Sequence, residues 1–205
     1  MINFSRLQSM TIPEGNVKEI AINGSVIWRK DCITLNDIVY KISDNSVSVL
    51  SCPNKQIEKI EIKSEIDGLP VTSISIGAFG RCSQATNVSM PNTIQYIGHY
   101  AFDNCTSLSS IIIPDSVIRI DDSAFSNCSN LTSITIPNNV TFIGSSVFKG
   151  CNNLKSIIFN DVSDWSAHVY AGEPDDYYMI DVTNPEYNVI IFTDTHKDSY
   201  YFIKS

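Results

Sequence analysis

From Val71 onward, the apolar positions of the chain return every 23 residues. Four units align without a gap: VTSISIGAFGRCSQATNVSMPNT from Val71, IQYIGHYAFDNCTSLSSIIIPDS from Ile94, VIRIDDSAFSNCSNLTSITIPNN from Val117 and VTFIGSSVFKGCNNLKSIIFN from Val140. Ile74, Ile97, Ile120 and Ile143 share one column, and Phe79, Phe102, Phe125 and Phe148 another. Cys82, Cys105, Cys128 and Cys151 form a third. Ala85, Leu108, Leu131 and Leu154 follow, then Val88, Ile111, Ile134 and Ile157, then Met90, Ile113, Ile136 and Phe159. Pro91, Pro114 and Pro137 close three of the units. Like residues in like places at a fixed period predict a solenoid, in which each unit is one coil and each column stacks on itself.

Within a unit, segments such as SLSSIII and NLTSITI alternate near their ends and are β-branched, so they predict short strands. Stacked coils bring these strands into parallel register at roughly 4.8 Å per coil. The AFxxC segment is short and lacks β-branching, and predicts a turn or a single helical turn on the opposite wall. The phenylalanine column then fills the interior, each ring contributing on the order of 1.5–3 kcal/mol. Strand side chains alternate, so inward Val88 and Met90 columns leave their neighbours outward. The outward set is Asn87, Ser110, Ser133 and Ser156, with Ser89, Ile112, Thr135 and Ile158 beside it. This face is small, polar and uncharged. It fits a shallow recognition surface for protein or glycan, and equally a strip that keeps an exposed sheet soluble. Four coils give only about 15 Å along the axis. Binding through it would draw on avidity from many copies.

Solenoid ends expose core and sheet edge, so both need caps. The flanks divide the chain into residues 1–30, an attachment segment; 31–70, an N-terminal cap; 71–160, the four repeats; and 161–205, a C-terminal β cap. In the first, EIAINGSVIW places Asn-Gly between two apolar runs, a strong hairpin signal. An isolated hairpin is marginal in water, so this one needs a partner surface, with Trp28 as its expected anchor. In the second, IVYKI and VSVL around SDNS predict a hairpin over 37–51, and Ile60 and Ile62 a first strand of the array. In the last, DYYMIDV, NVIIF and SYYFIK are expected as three β-segments.

Composition narrows the function. The chain has 205 residues, 43% of them hydrophobic, enough for one cored domain, alone or with a small appendage. With 14 basic and 22 acidic residues the formal charge is 14 − 22 = −8, and no basic run occurs, so nucleic acid is not an expected partner. No apolar stretch approaches the roughly 18 residues that a membrane-spanning helix requires. The start, MINFSRLQSM, shows no basic region ahead of an apolar one, so no secretory signal is expected.

Six cysteines would be a disulfide framework in another setting, but four of them mark the period and no CxxC occurs. Cys32 and Cys52 lie outside it, either paired in an oxidising compartment or present as two small buried thiols. His99, His168 and His196 are far apart in sequence, and no HExxH, GxSxG, P-loop or GxGxxG is present. Glu173, Asp175 and Asp176 lack the spacing of a calcium loop and read as a solvated loop. No catalytic residue, metal ligand set or cofactor is therefore expected.

The pattern IGxxAFxxCxxLxxIxIPxxV resembles the BspA-like leucine-rich repeats, the 23-residue class found mainly in bacterial surface proteins. EIDGLPVTSI at 65–74 is similar to the lead-in of such arrays, and IVYKISDNSVSVLSC to their N-terminal cap. The resemblance implies a mainly β solenoid: a leucine-rich repeat array with a parallel sheet on its concave face, capped here by β-hairpins at both ends. It also implies adhesion or protein binding, without catalytic residues. Ala85 stands where leucine is usual, and Ser75 and Asp121 stand where glycine is common, which implies local irregularity. Separately, LQSMTIPEGNVKEIAINGSVIWRK resembles N-terminal segments of bacteriophage tail and other virion proteins, which often read IPEGxVxxIxxxGxxxWxK. Together the resemblances imply a recognition or adhesion module on a phage particle or a bacterial cell surface. The alternative is a structural accessory of such an assembly, with no ligand of its own.

Overall fold

In the computed structural model the 23-residue period becomes a chain of hydrogen bonds from coil to coil. The Gln95 amide donates to Thr72 O (2.7 Å), Ile118 to Gln95 O (2.9 Å) and Thr141 to Ile118 O (2.9 Å). The structure describes residues 19–22, 25–29, 32–169, 177–193 and 200–204.

The described residues begin with β1 (Glu19–Ile22) and β2 (Ser25–Arg29), which pair antiparallel as their own two-stranded sheet, as the Asn-Gly signal predicts. β3 (Cys32–Leu35), β4 (Ile38–Ile42) and β5 (Val47–Ser51) form an antiparallel meander. After it come β6 (Lys59–Glu61), β7 (Glu65–Ile66) and β8 (Leu69–Ile74). The array then contributes β9 (Asn87–Ser89), β10 (Tyr96–Ile97), β11 (Arg119–Ile120), β12 (Ser133–Ile136), β13 (Phe142–Ile143) and β14 (Ser156–Phe159). β15 (Trp165–Val169), β16 (Tyr177–Met179), α1 (Pro185–Thr193) and β17 (Tyr200–Lys204) close the chain.

These elements build a mainly β solenoid with two strand-bearing walls. On one wall β8, β10, β11 and β13 run parallel, with Ile74, Ile97, Ile120 and Ile143 in register. β5 continues that ladder in parallel at the front, and β17 joins antiparallel at the back, giving an 11-stranded sheet. On the other wall β6 pairs with β9 and β12 with β14, both parallel. The longest ladder therefore runs along VTSI, IQYI, VIRI and VTFI, and not along the LxxIxI segments that read most strongly as strands. SLSSIII is not a regular strand, although Ile111 and Ile113 are buried and Ser110 and Ile112 exposed, as alternation requires. Each coil turns through two left-handed positions. Gly77, Tyr100, Ser123 and Ser146 have φ between 54° and 61°, and Arg81, Asn104, Asn127 and Gly150 between 57° and 73°.

The core is columnar. Phe79, Phe102, Phe125 and Phe148 are fully buried and stack face to face at 5.3, 5.4 and 5.9 Å between centroids. Beside them the thiols of Cys105, Cys128 and Cys151 donate to the carbonyls of Phe79, Phe102 and Phe125 at 3.2–3.3 Å. Cys52 and Cys32 are free thiols, not a pair; Cys52 is buried and its thiol meets that of Cys82, so it is a fifth member of the column. The array thus begins ahead of Val71: Ile60 pairs with Val88 and Val47 with Val71.

The C-terminal cap departs from expectation at NVIIF, which lies in α1 and is no strand. The cause is the start of the segment. Asn184 Oδ1 accepts from the amides of Glu186 and Tyr187, both at 3.0 Å, and Pro185 is preset for a first helical turn. Tertiary burial does the rest, because Ile191 and Phe192 face the core and outweigh the β-branching of Val189, Ile190 and Ile191. β16 and β17 fall where DYYMIDV and SYYFIK predict strands; β15 was not expected.

Candidate recognition surface

The outward alternation on the second wall places the predicted strip side by side. Asn87 and Ser89 are exposed on either side of buried Val88, and Ser133 and Thr135 on either side of buried Ile134. Ser133 lies opposite Ser156 and Thr135 opposite Ile158. Ile112 is 84% exposed and Ile158 42%, so both offer apolar surface among hydroxyls. β6 lengthens the strip by one rung, since Lys59 lies opposite Asn87 and Glu61 opposite Ser89. That rung carries the charges the other four lack, and the period from Val71 gave no sign of it.

At its other end the strip runs into α1. A groove of about 560 Å³ is lined by Ser156 and Ile158 from β14 and by Thr183, Asn184, Pro185 and Glu186 from the helix start. Asn188, fully buried on α1, fixes this junction. Its amide nitrogen donates to Ile157 O and Val182 O, each at 2.9 Å, and so covers the open edge of β14.

A second polar constellation lies on the opposite wall, where sequence reading found only an irregularity. Asp121 is buried and accepts from Arg119 Nε at 2.7 Å and from the Tyr96 hydroxyl. His99 Nε2 stands 3.3 Å from Asp121, and His99 Nδ1 3.5 Å from Asp122. The Arg119 guanidinium lies 3.6 Å over the Phe142 ring, Phe142 stacks on Tyr201 at 5.6 Å, and Tyr201 stacks on His168 at 5.4 Å. Burial, and then the Asp121 carboxylate, push the Tyr96 hydroxyl up to about 12. Gly144 lets the next coil approach closely at this point: a Cβ on it would lie 2.4 Å from the Asp122 amide nitrogen and 2.7 Å from the Asp121 carbonyl carbon. The rings face one another and the buried charge is matched, so the row is a staple binding coils to cap. A carboxylate in a glycine column, two residues after an arginine, was its one trace in the sequence.

The column thiols are stored as thiols. Burial, with some repulsion from neighbouring thiols, pushes Cys82 and Cys105 up to about 12, and burial pushes Cys151 to the same value. Trp28 falls in β2, and its side chain lies outside the described residues, as do Glu173, Asp175, Asp176 and His196.

The model of the BspA type leucine-rich repeat region matches residues 45–174 in six copies. The chain belongs to that family. The match starts ahead of Val71, where β5 and β6 already form a coil, and it counts two copies beyond the four gapless units. Among solved structures, a leucine-rich repeat protein from Bacteroides capillosus is 25% identical, with TM-score 0.59, over 64% of this chain and 100% of that one. The leucine-rich repeat protein of T. pallidum is also 25% identical, with TM-score 0.52, over 61% and 70% of the two chains. A leucine rich cell surface protein from Faecalibacterium prausnitzii, 23% identical with TM-score 0.51 over 66% of this chain and 41% of that one, shares the fold. No curated protein matches. Among the described residues of this BspA-type protein, no helix is long and apolar enough to cross a membrane.

Proposed function

We propose that this BspA-type array is a non-catalytic recognition module. It binds a protein or glycan ligand through the strip of Asn87, Ser89, Ser110, Ile112, Ser133, Thr135, Ser156 and Ile158. The observation that carries this reading is the strip itself: uncharged polar groups and two exposed isoleucines presented on stacked coils. Such presentation lowers the ordering cost of binding. A location on a bacterial cell surface accords with the family and with the Faecalibacterium prausnitzii cell surface protein of the same fold, and a location on a phage particle rests on the resemblance of the N-terminal segment alone. Residues 1–30, with Trp28, serve as the attachment element. The test is an immobilised full chain screened against protein and glycan arrays, with Thr135→Arg and Ile112→Arg alongside. A specific ligand lost in both variants is the expected result. Ligand binding unmoved by either variant would defeat the reading.

One observation favours a second reading, a structural accessory with no ligand of its own. The strip holds no Trp, Tyr or Arg, the residues in which binding hot spots are richest. An accessory would bind only its parent assembly, and strip variants would not disturb incorporation. Deleting residues 1–30 should abolish incorporation in either case, with the melting temperature of the array nearly unchanged.

A further inference from the structure

We infer that the groove between β14 and the start of α1 seats a basic side chain, lysine or arginine, from a protein partner. The inference rests on the recognition reading above and gives that strip an anchoring point. Ser156 and Ile158 belong to both strip and groove, so a segment lying along the strip passes over the groove.

The lining selects the charge. Glu186 is exposed and is the one charged residue among the six that line the groove; no Lys, Arg or His lines it among the described residues. An anion would need free donors. The amides of Glu186 and Tyr187, which a helix start normally offers, are already taken by Asn184 Oδ1. What remains is the Glu186 carboxylate, which opposes an anion, with the neutral hydroxyls of Ser156 and Thr183 beside the apolar surface of Ile158 and Pro185. Lysine and arginine match this pairing, because their methylene stems lie on apolar surface while the charged head reaches a carboxylate. Among the described residues no aromatic ring lines the groove, so none of them offers a platform for a stacked sugar. The formal charge of −8 draws a basic partner towards the chain and opposes a second copy of it.

The test is a titration of the isotope-labelled full chain with a capped Gly-Gly-Lys-Gly-Gly peptide and its Glu counterpart, read by amide shifts. The lysine peptide should move residues 156–158 and 183–187, and the glutamate peptide should not. Glu186→Gln should weaken the lysine peptide about threefold, the scale of an exposed ion pair. Glu65→Gln, an equal charge change on the exposed strand β7, should weaken it much less. Ile158→Lys puts an ammonium of its own at the groove and should abolish the shifts. Equal losses in Glu186→Gln and Glu65→Gln would reduce the effect to the general field of the chain and overturn the inference. Shifts along Ser110–Thr135 with none at the groove would overturn it too, and would leave the strip reading standing. Groove shifts together with strip variants that keep every array ligand would uphold the groove and defeat the strip.

Discussion

In the array, Phe102 is covered by Phe79 and Phe125, its equivalents one coil away on either side, at 5.3 and 5.4 Å and nearly parallel. Where array meets cap, Phe159 of β14 is covered by two cap side chains, Trp165 edge-on at 5.0 Å and Phe192 tilted at 5.5 Å, from two different elements. One region buries its core by repetition and the other by unique contacts. Repetition means that each coil is held mainly by its neighbours, so damage to one coil is felt by the ladder on both sides. Unique contacts mean that a single side chain, such as Asn188, holds a junction that nothing duplicates.

The sharpest way to break this contrast is Phe125→Ala. Phe125 is fully buried between Phe102 and Phe148, and the rings above and below cannot collapse into the gap without leaving their own columns. The expected loss is about 3–5 kcal/mol by urea denaturation. A loss under about 1 kcal/mol would mean that the column adapts as freely as a surface. Next comes Asn188→Ala in the cap. It strips donors from Ile157 O and Val182 O, both deep in the junction, and should cost about 2 kcal/mol. Hydrogen exchange should show amides of α1 and β14 opening while those around Phe102 keep their protection. Uniform loss of protection would show that array and cap are one cooperative unit. Smaller again is Asn184→Ala, which removes the side-chain cap from the amides of Glu186 and Tyr187 and should cost about 1 kcal/mol. Asn184→Asp should restore most of it, since aspartate caps equally well.

The same contrast explains what could be read from the sequence. A column such as Ile74, Ile97, Ile120 and Ile143 states its burial four times over, so the solenoid and the outward strip were legible. NVIIF states nothing twice. Its short apolar run, Val189 to Phe192, cannot be told from a buried helical segment by periodicity. The Asn184–Pro185 start was the readable clue to α1, and without α1 the groove was out of reach. The Asp121 staple was hidden for a different reason. Tyr96 and Arg119 are one period apart, so their adjacency followed from the repeat. That Asp121 turns inward to meet both is not written in the period, because the same column holds Ser75, Gly98 and Gly144 in the other coils. The first coil was legible only as the strand expected at Ile60 and Ile62, which is β6, because Val47, Cys52 and Ile60 keep the columns but not the spacing.

The smallest expected effect concerns the seam where cap meets array, and it depends on pH. The Lys204 amide donates to Thr141 O, so β17 takes the place that a further coil would fill. The Lys204 ammonium pairs with the Asp161 carboxylate and also reaches Asn138 O at 3.2 Å. Lys204, and then Ser163, hold the Asp161 carboxyl well below the usual carboxylate range. A carboxyl lowered in the folded state contributes stability that is fully present above its unfolded value, about 3.9, and is lost as pH falls from there through the folded value. Asp161→Asn should therefore lower the urea midpoint slightly at pH 6, and the gap to the parent should close as the pH is taken below about 4. The size is modest because the pair is partly exposed and screened by salt. A gap that stays constant down to strongly acidic pH would assign the effect to the turn hydrogen bonds with Ser163, which an asparagine can partly keep. Closure of the gap on acidification, repeated in Lys204→Met, would fix the seam as an ionic latch between repetitive array and unique cap.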